Sequence, residues 1–337
     1  MQLAIFKQSK KRRWIVLCAK LIITMAVCAL ILWKTNWGHL LRILENVDYV
    51  LVVAVFLLMI LSVTISAYKW QVLLGIHDIQ YPFKMLHRVY FVAVFANNFF
   101  PSSIGGDGYR IARTLGNARS RLGAVLAVFV ERASGMVLLL VAAAFALAAI
   151  YLREQDPIAG CIFLVVVVCI VVGLAGCFVV VRSGWIHRLI DGEGCPSSRK
   201  DLWSCLEDFR QRPMRSAWGI GGISILFHVH TVFFYWLLIY SLGVRIDPLD
   251  LLVVIGTTTL IGFLPVTING IGLMDGAFIV MAVHFGLDRE IALSTMLLVR
   301  GANVLIGLIG ACFYLTSGSL DPVDSSLKLD NPSPEGR

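Results

Sequence analysis

Apolar residues in this chain fall into long runs, and charged residues gather in the short stretches between them. The runs 14–33, 49–67, 122–151, 158–181, 217–242 and 291–315 each come close to or exceed the roughly 20 residues that one helical crossing of a bilayer takes. They predict transmembrane helices. Two more apolar stretches, 89–100 and 251–285, differ, because the first is short for a crossing and each carries or adjoins a Pro/Gly-broken segment.

Charge orients the pattern. Lys7, Lys10, Lys11, Arg12 and Arg13 precede the first run, and such a basic flank holds residues 1–13 in the cytoplasm. That run is long for a signal-peptide core and no small-residue cleavage site follows, so an uncleaved first span is favoured. Residues 34–47 then form a short polar connection outside. The second span returns to a cytoplasmic stretch with Lys69, Lys84 and Arg88, and Arg110, Arg113, Arg119 and Arg121 mark the cytoplasmic side again. Residues 182–215 hold SSRKDLWSCLEDFRQR, with Leu202, Leu206 and Phe209 on one helical face. Two readings stand: an amphipathic helix on the cytoplasmic membrane surface, or a solvated linker helix. The tail, 317–337, has too little apolar content to fold alone and is expected to be disordered in the cytoplasm.

Composition agrees. The 337 residues are 58% hydrophobic and 15% charged, with mean hydropathy +0.82, whereas soluble domains carry about 25% charged residues. A soluble globular protein is excluded, and an all-α polytopic transmembrane bundle with about six to eight membrane-embedded segments is expected. The net charge of +8 sits at the ends of apolar runs, so its role is topological and nucleic acid is not an expected partner. Of eight cysteines, six lie in apolar runs without C-x-x-C pairing and read as small buried hydrophobes.

One pattern occurs twice. Phe99, Pro101, Ser103, Ile104, Gly106 and Gly108 return as Phe263, Pro265, Thr267, Ile268, Gly270 and Gly272. Cytoplasmic flanks on both sides of the first copy imply a hairpin that enters and turns back; two short full crossings are the alternative. By the same topology the second copy opens from outside. The halves, about 84–181 and 246–316, therefore resemble an inverted repeat inside a transmembrane domain of 14–316.

Arg132 and Arg300 each lie about ten residues into the span that follows a motif copy, about 15 Å deep. A charge at that depth costs on the order of 2.5–3.5 kcal/mol, so each arginine must face a partner or a wet cavity. An ion pair would suffice: Arg132 with Asp107 or Glu131, Arg300 with Asp275. A substrate phosphate is the other reading, and the two are compatible. Gly105, Gly106 and Gly108, with Ser102 and Ser103, suit a backbone phosphate cradle, or else close helix contact around a kink. Pro101, Pro265, Asn269, Gly270 and Gly272 are candidate hinges. His228 and His230, two apart, do not share a helical face and suit helix-interior hydrogen bonds better than a metal. No catalytic group, metal site or cofactor signature emerges.

NNFFPSSIGGDGYR, the Glu131–Arg132 pair, FLPVTINGIGLMDGAF and Arg300 together resemble the flippase-like family that includes the membrane region of lysylphosphatidylglycerol synthases. The resemblance covers roughly 14–316. In two-part members an aminoacyl-phospholipid synthase domain follows, and the membrane region is assigned lipid translocation; this chain ends before such a domain could begin, so aminoacylation is not expected. Where the family often has Glu after the second Gly-x-Gly, Asp275 is the nearest equivalent. The resemblance implies a bacterial inner-membrane translocase for an anionic phospholipid or a polyprenyl-phosphate-linked glycan. In that reading Arg110, Arg132 and Arg300 contact phosphate and Asp107, Glu131 and Asp275 hold the arginines. Partners would be membrane lipids and envelope-biosynthesis enzymes. An embedded glycosyl or headgroup transferase using Asp107 or Glu131 as base, or a scaffold of an envelope-biosynthesis complex, are the alternatives.

Overall fold

The structure, a computed structural model, describes residues 18, 20–99, 105–115, 121–155, 157–183, 219–262 and 266–316. The basic N-terminus, the 182–215 segment beyond Ser183, the tail, and motif residues Pro101, Ser102, Ser103 and Pro265 lie outside them. Among the described residues the chain is all-helical, without strands. Four helices are long and apolar enough to cross a membrane, and a fifth span is formed if the bent pair Lys20–Trp33 (α1) and Trp37–Glu45 (α2) is one element.

The 34–47 connection is helical where a polar loop was expected. Asn36 caps α2 by accepting from the His39 N–H, and Leu40 is buried with Ile43 and Leu44 against the core. The sequence hid this because only one face of α2 is apolar. The chain then runs through α3 (Tyr49–Ile76), α4 (Phe83–Phe99), α5 (Gly105–Leu115), α6 (Arg121–Glu154) and α7 (Pro157–Ser183). After the undescribed stretch come α8 (Ile220–Ser241), α9 (Pro248–Gly262), a 3₁₀ turn at Ile268–Gly270, α10 (Leu273–His284) and α11 (Arg289–Thr316).

Helices α4 and α5 form one hairpin, α9 and α10 another, and their feet lie at opposite ends of the bundle. At one end the Tyr81 hydroxyl, just before α4, donates to the carbonyl of Thr114, near the end of α5, at 3.3 Å. The Gln71 amide donates to the Tyr81 carbonyl there, and Gly123 abuts His77. At the other end Ile246, Leu251, Phe285, Leu287 and Ile291 share a core with Leu40. Helices α3 and α8 run antiparallel between these ends: Asp48 N–H donates to the Ser241 carbonyl, and the His230 ring pairs with the Leu58 carbonyl at 2.8 Å.

Each hairpin packs against the long helix of the other half. Helix α4 lies along α11, and α9 lies along α6. Close approach is required at Gly310, where a Cβ would fall on the Phe91 carbonyl, and at Gly256, where it would meet Ala143. The core clusters follow this exchange: Phe91 joins Val299 and Ile306, and Leu147 and Ile150 join Val253. Outward faces stay apolar, with Val50, Phe145 and Leu315 at 78%, 74% and 79% exposure, as expected where lipid tails replace water. Cys18, Cys161 and Cys312 are exposed, not buried. An apolar run does not separate lipid-facing from core-facing positions, which is why they read as core.

Candidate functional site

Both hairpin tips reach one cavity of about 760 Å³ inside the bundle. Asn98, at the tip of the first hairpin, accepts from the Asn269 side chain of the second at 3.4 Å and donates to the Asn303 carbonyl at 2.8 Å. The walls are mostly apolar, from α1, α3, α4, α8 and α11, with Arg132, Arg300, Asp107 and Asp275 among the polar groups.

The charged pairs repeat with the same spacing. Arg132 donates to Asp107, 25 residues earlier, at 3.0 Å, and Arg300 donates to Asp275, also 25 residues earlier, at 3.0 Å. Each aspartate lies in the first turn of the shorter hairpin helix, α5 or α10, where the helix dipole favours an anion. Asp275 additionally accepts from the Gly272 N–H at 2.8 Å, which caps α10. The second turn is held by backbone geometry: Asn269, Gly270 and Gly272 have φ of 49°, 68° and 79°, a region glycine enters without steric cost. Arg300 grips this turn too, donating to the carbonyls of Asn269 and Gly270 at 3.4 Å each.

Glu131 takes a different partner from the one its neighbour Arg132 suggests. It points into the first half and pairs with Arg110, whose side chain is 1% exposed. Arg110 also reaches Asp107 at 3.4 Å and lies between the rings of Trp70 and Tyr90, at 4.5 and 4.4 Å from their centroids. The Tyr90 hydroxyl donates to Glu131 at 2.9 Å, and Lys69 donates to the Glu131 carbonyl at 3.0 Å. Lys69 was expected in a cytoplasmic flank; it is buried within α3, which continues to Ile76. Sequence reasoning missed Lys69, Trp70 and Tyr90; for Lys69 and Trp70 the signal available was that α3 could extend past its apolar run to a mixed face.

The second half lacks this cluster. Three residues after Asp275 stands Phe278 where Arg110 follows Asp107, and before Arg300 stands Val299 where Glu131 precedes Arg132. Phe278 is buried and stacks on Tyr235. Of the motif glycines, Gly105 opens α5. Gly106 packs where a Cβ would strike the Ala93 carbonyl, and its N–H donates to Asn97 at 2.9 Å; Gly108 faces open space. His228 and His230 each pair with a backbone carbonyl, of Gly135 and Leu58, as their spacing predicts.

Chemically the cavity offers guanidinium donors to an anion within a mostly apolar chamber that also carries Asp107, Asp275 and several amide and hydroxyl groups. The model of the lysylphosphatidylglycerol synthase transmembrane region matches residues 17–310. A search of curated proteins finds no match.

Proposed function

Because the chain belongs to the family of the lysylphosphatidylglycerol synthase transmembrane region, a multi-pass membrane family, we propose that it is a lipid translocase of the bacterial inner membrane. Its cargo is an anionic phospholipid or a polyprenyl-phosphate-linked glycan, handled in cell-envelope biogenesis. The observation that carries this reading is the meeting of two oppositely rooted hairpin tips at one cavity, each with an Arg–Asp pair. In transporters, Gly/Pro-interrupted segments at corresponding positions of inverted halves locate the substrate site near the midplane.

The arrangement suits a headgroup. A chamber of about 760 Å³ is in the range of small-ligand sites, enough for a phosphate and its substituent, with acyl chains left in the bilayer against the apolar outer faces. With the basic N-terminus cytoplasmic, the first hairpin is rooted on the cytoplasmic side and the second outside, so rocking of one half against the other exposes the chamber to each leaflet in turn. Transport is gradient-driven or facilitative. Arg132 meets the phosphate at the chamber and returns to Asp107 between cycles, while the Arg300–Asp275 pair faces the same chamber from the second half. Arg110, 1% exposed and paired with Glu131, supports the site from behind. Ser102, Ser103, Pro101 and Pro265 complete the two motifs as cradle and hinges.

The test is a proteoliposome assay with fluorescent phosphatidylglycerol and dithionite quenching of the outer leaflet. Wild type accelerates exchange between leaflets, and Arg132→Ala and Arg300→Ala each slow it. Unchanged exchange in both variants would sink the assignment.

A further inference from the structure

The two arginines look alike in sequence, but their carboxylates differ in what happens when an arginine leaves. One oxygen of Asp107 accepts from Arg132 at 3.0 Å and from Arg110 at 3.4 Å. If a phosphate draws Arg132 away, Asp107 keeps a contact with Arg110, which it shares with Glu131. Asp275 has no such reserve among the described residues, because the position corresponding to Arg110 is Phe278. Its two oxygens hold Arg300 at 3.0 and 3.3 Å, and it is 13% exposed. Drawing Arg300 away would leave a largely buried carboxylate with the Gly272 N–H and the α10 N-terminus but no counter-charge.

Accessibility and bonding point the same way. The Arg132 side chain is 45% exposed and that of Arg300 28%, and both line the chamber. Arg300 also donates to the Asn269 and Gly270 carbonyls, which belong to the turn of left-handed residues. Asn269 in turn touches Asn98, so the strap on this turn also fixes where the two tips meet.

Resting on the translocase reading, we infer that the two arginines divide the work. Arg132 receives the lipid-linked phosphate while Asp107 keeps its contact with Arg110, and Arg300 stays on Asp275 and the turn as a positioning residue that sets the second tip. The cargo therefore needs one phosphate at one guanidinium. Phosphatidylglycerol and undecaprenyl phosphate share that chemistry and serve as separate arms of the test.

Binding of each lipid to the detergent-solubilised full chain is measured by native mass spectrometry, exchange between leaflets in proteoliposomes, and turn opening by hydrogen exchange of amides 269–272 without added lipid. Arg132→Gln is expected to lower affinity for the cargo lipid about tenfold or more, the worth of one charge-assisted hydrogen bond, and to leave turn exchange at the wild-type rate. Arg300→Gln is expected to keep affinity within about threefold, to speed turn exchange, and to slow transport at saturating lipid; Arg300→Lys restores neither, since an ammonium cannot span carboxylate and two carbonyls. Loss of affinity in Arg300→Gln equal to that in Arg132→Gln, with the turn unchanged, overturns the division of labour. Saturable binding of neither lipid by wild type overturns the translocase reading and the role of Arg132. The strap is decided separately, by the lipid-free exchange of the turn.

Discussion

The buried pair of Arg110 and Glu131 gives the most quantitative prediction. Glu131→Leu leaves a guanidinium that is 1% exposed without its main counter-ion, and breaking a buried pair from one side costs about 3–5 kcal/mol. Three contacts soften the loss. Asp107 remains at 3.4 Å, and the faces of Trp70 and Tyr90 remain at 4.5 and 4.4 Å, each ring worth about 0.5–2 kcal/mol. The two rings together offset about 1–4 kcal/mol, so the net expectation is a loss of up to about 4 kcal/mol. Arg110→Met should cost a similar amount, because it strands Glu131 with the Tyr90 hydroxyl as its side-chain donor. Removing both partners is different: apolar replacement of a buried pair is often neutral, and Phe278 and Val299 fill the corresponding places in the second half with apolar side chains. Arg110→Met/Glu131→Leu is thus expected within about 1 kcal/mol of wild type. Unfolding in mixed micelles with rising SDS fraction measures all three. A double variant as unstable as the sum of the singles would refute the reasoning, since it would mean that the two side chains do not compensate each other.

Three further outcomes follow from close contacts. Gly310→Val places a side chain on the Phe91 carbonyl and should separate α4 from α11, costing about 1–3 kcal/mol, read as a lower thermal midpoint. At Asn269, φ is 49°: Asn269→Gly should keep the turn, whereas Asn269→Val forces a β-branched residue into left-handed backbone for about 1–3 kcal/mol, seen as lower yield of folded protein. Asn98→Ala removes the bonds to Asn303 and Asn269; within a membrane bundle each is worth about 0.6 kcal/mol, and the effect should appear as faster hydrogen exchange at the second turn.

Much of this architecture is legible in the residues because lipid leaves few options. A charge inside an apolar span must find a partner, so Arg132 and Arg300 identify themselves, and Asp107 and Asp275 are the carboxylates within reach. What stayed hidden depends on direction around a helix. Glu131 and Arg132 are neighbours in sequence but point apart by about 100° on a helix, so Glu131 serves Arg110 instead. Lys69 looked like a flank because positive residues usually mark span ends, yet α3 at 28 residues is about 42 Å long and carries it into the bundle. The exposed cysteines misled for a related reason: both lipid and core accept apolar side chains.

The central claim is that the meeting point of the hairpin tips is a lipid-phosphate site. Cryo-electron microscopy of the protein in phosphatidylglycerol nanodiscs addresses it directly. Phosphate density is expected between Asn98, Asn269 and the Arg132 guanidinium, with Arg300 still on Asp275. Hairpin tips that stand apart, or a chamber filled only by acyl chains with Arg132 turned away from any phosphate, would contradict it.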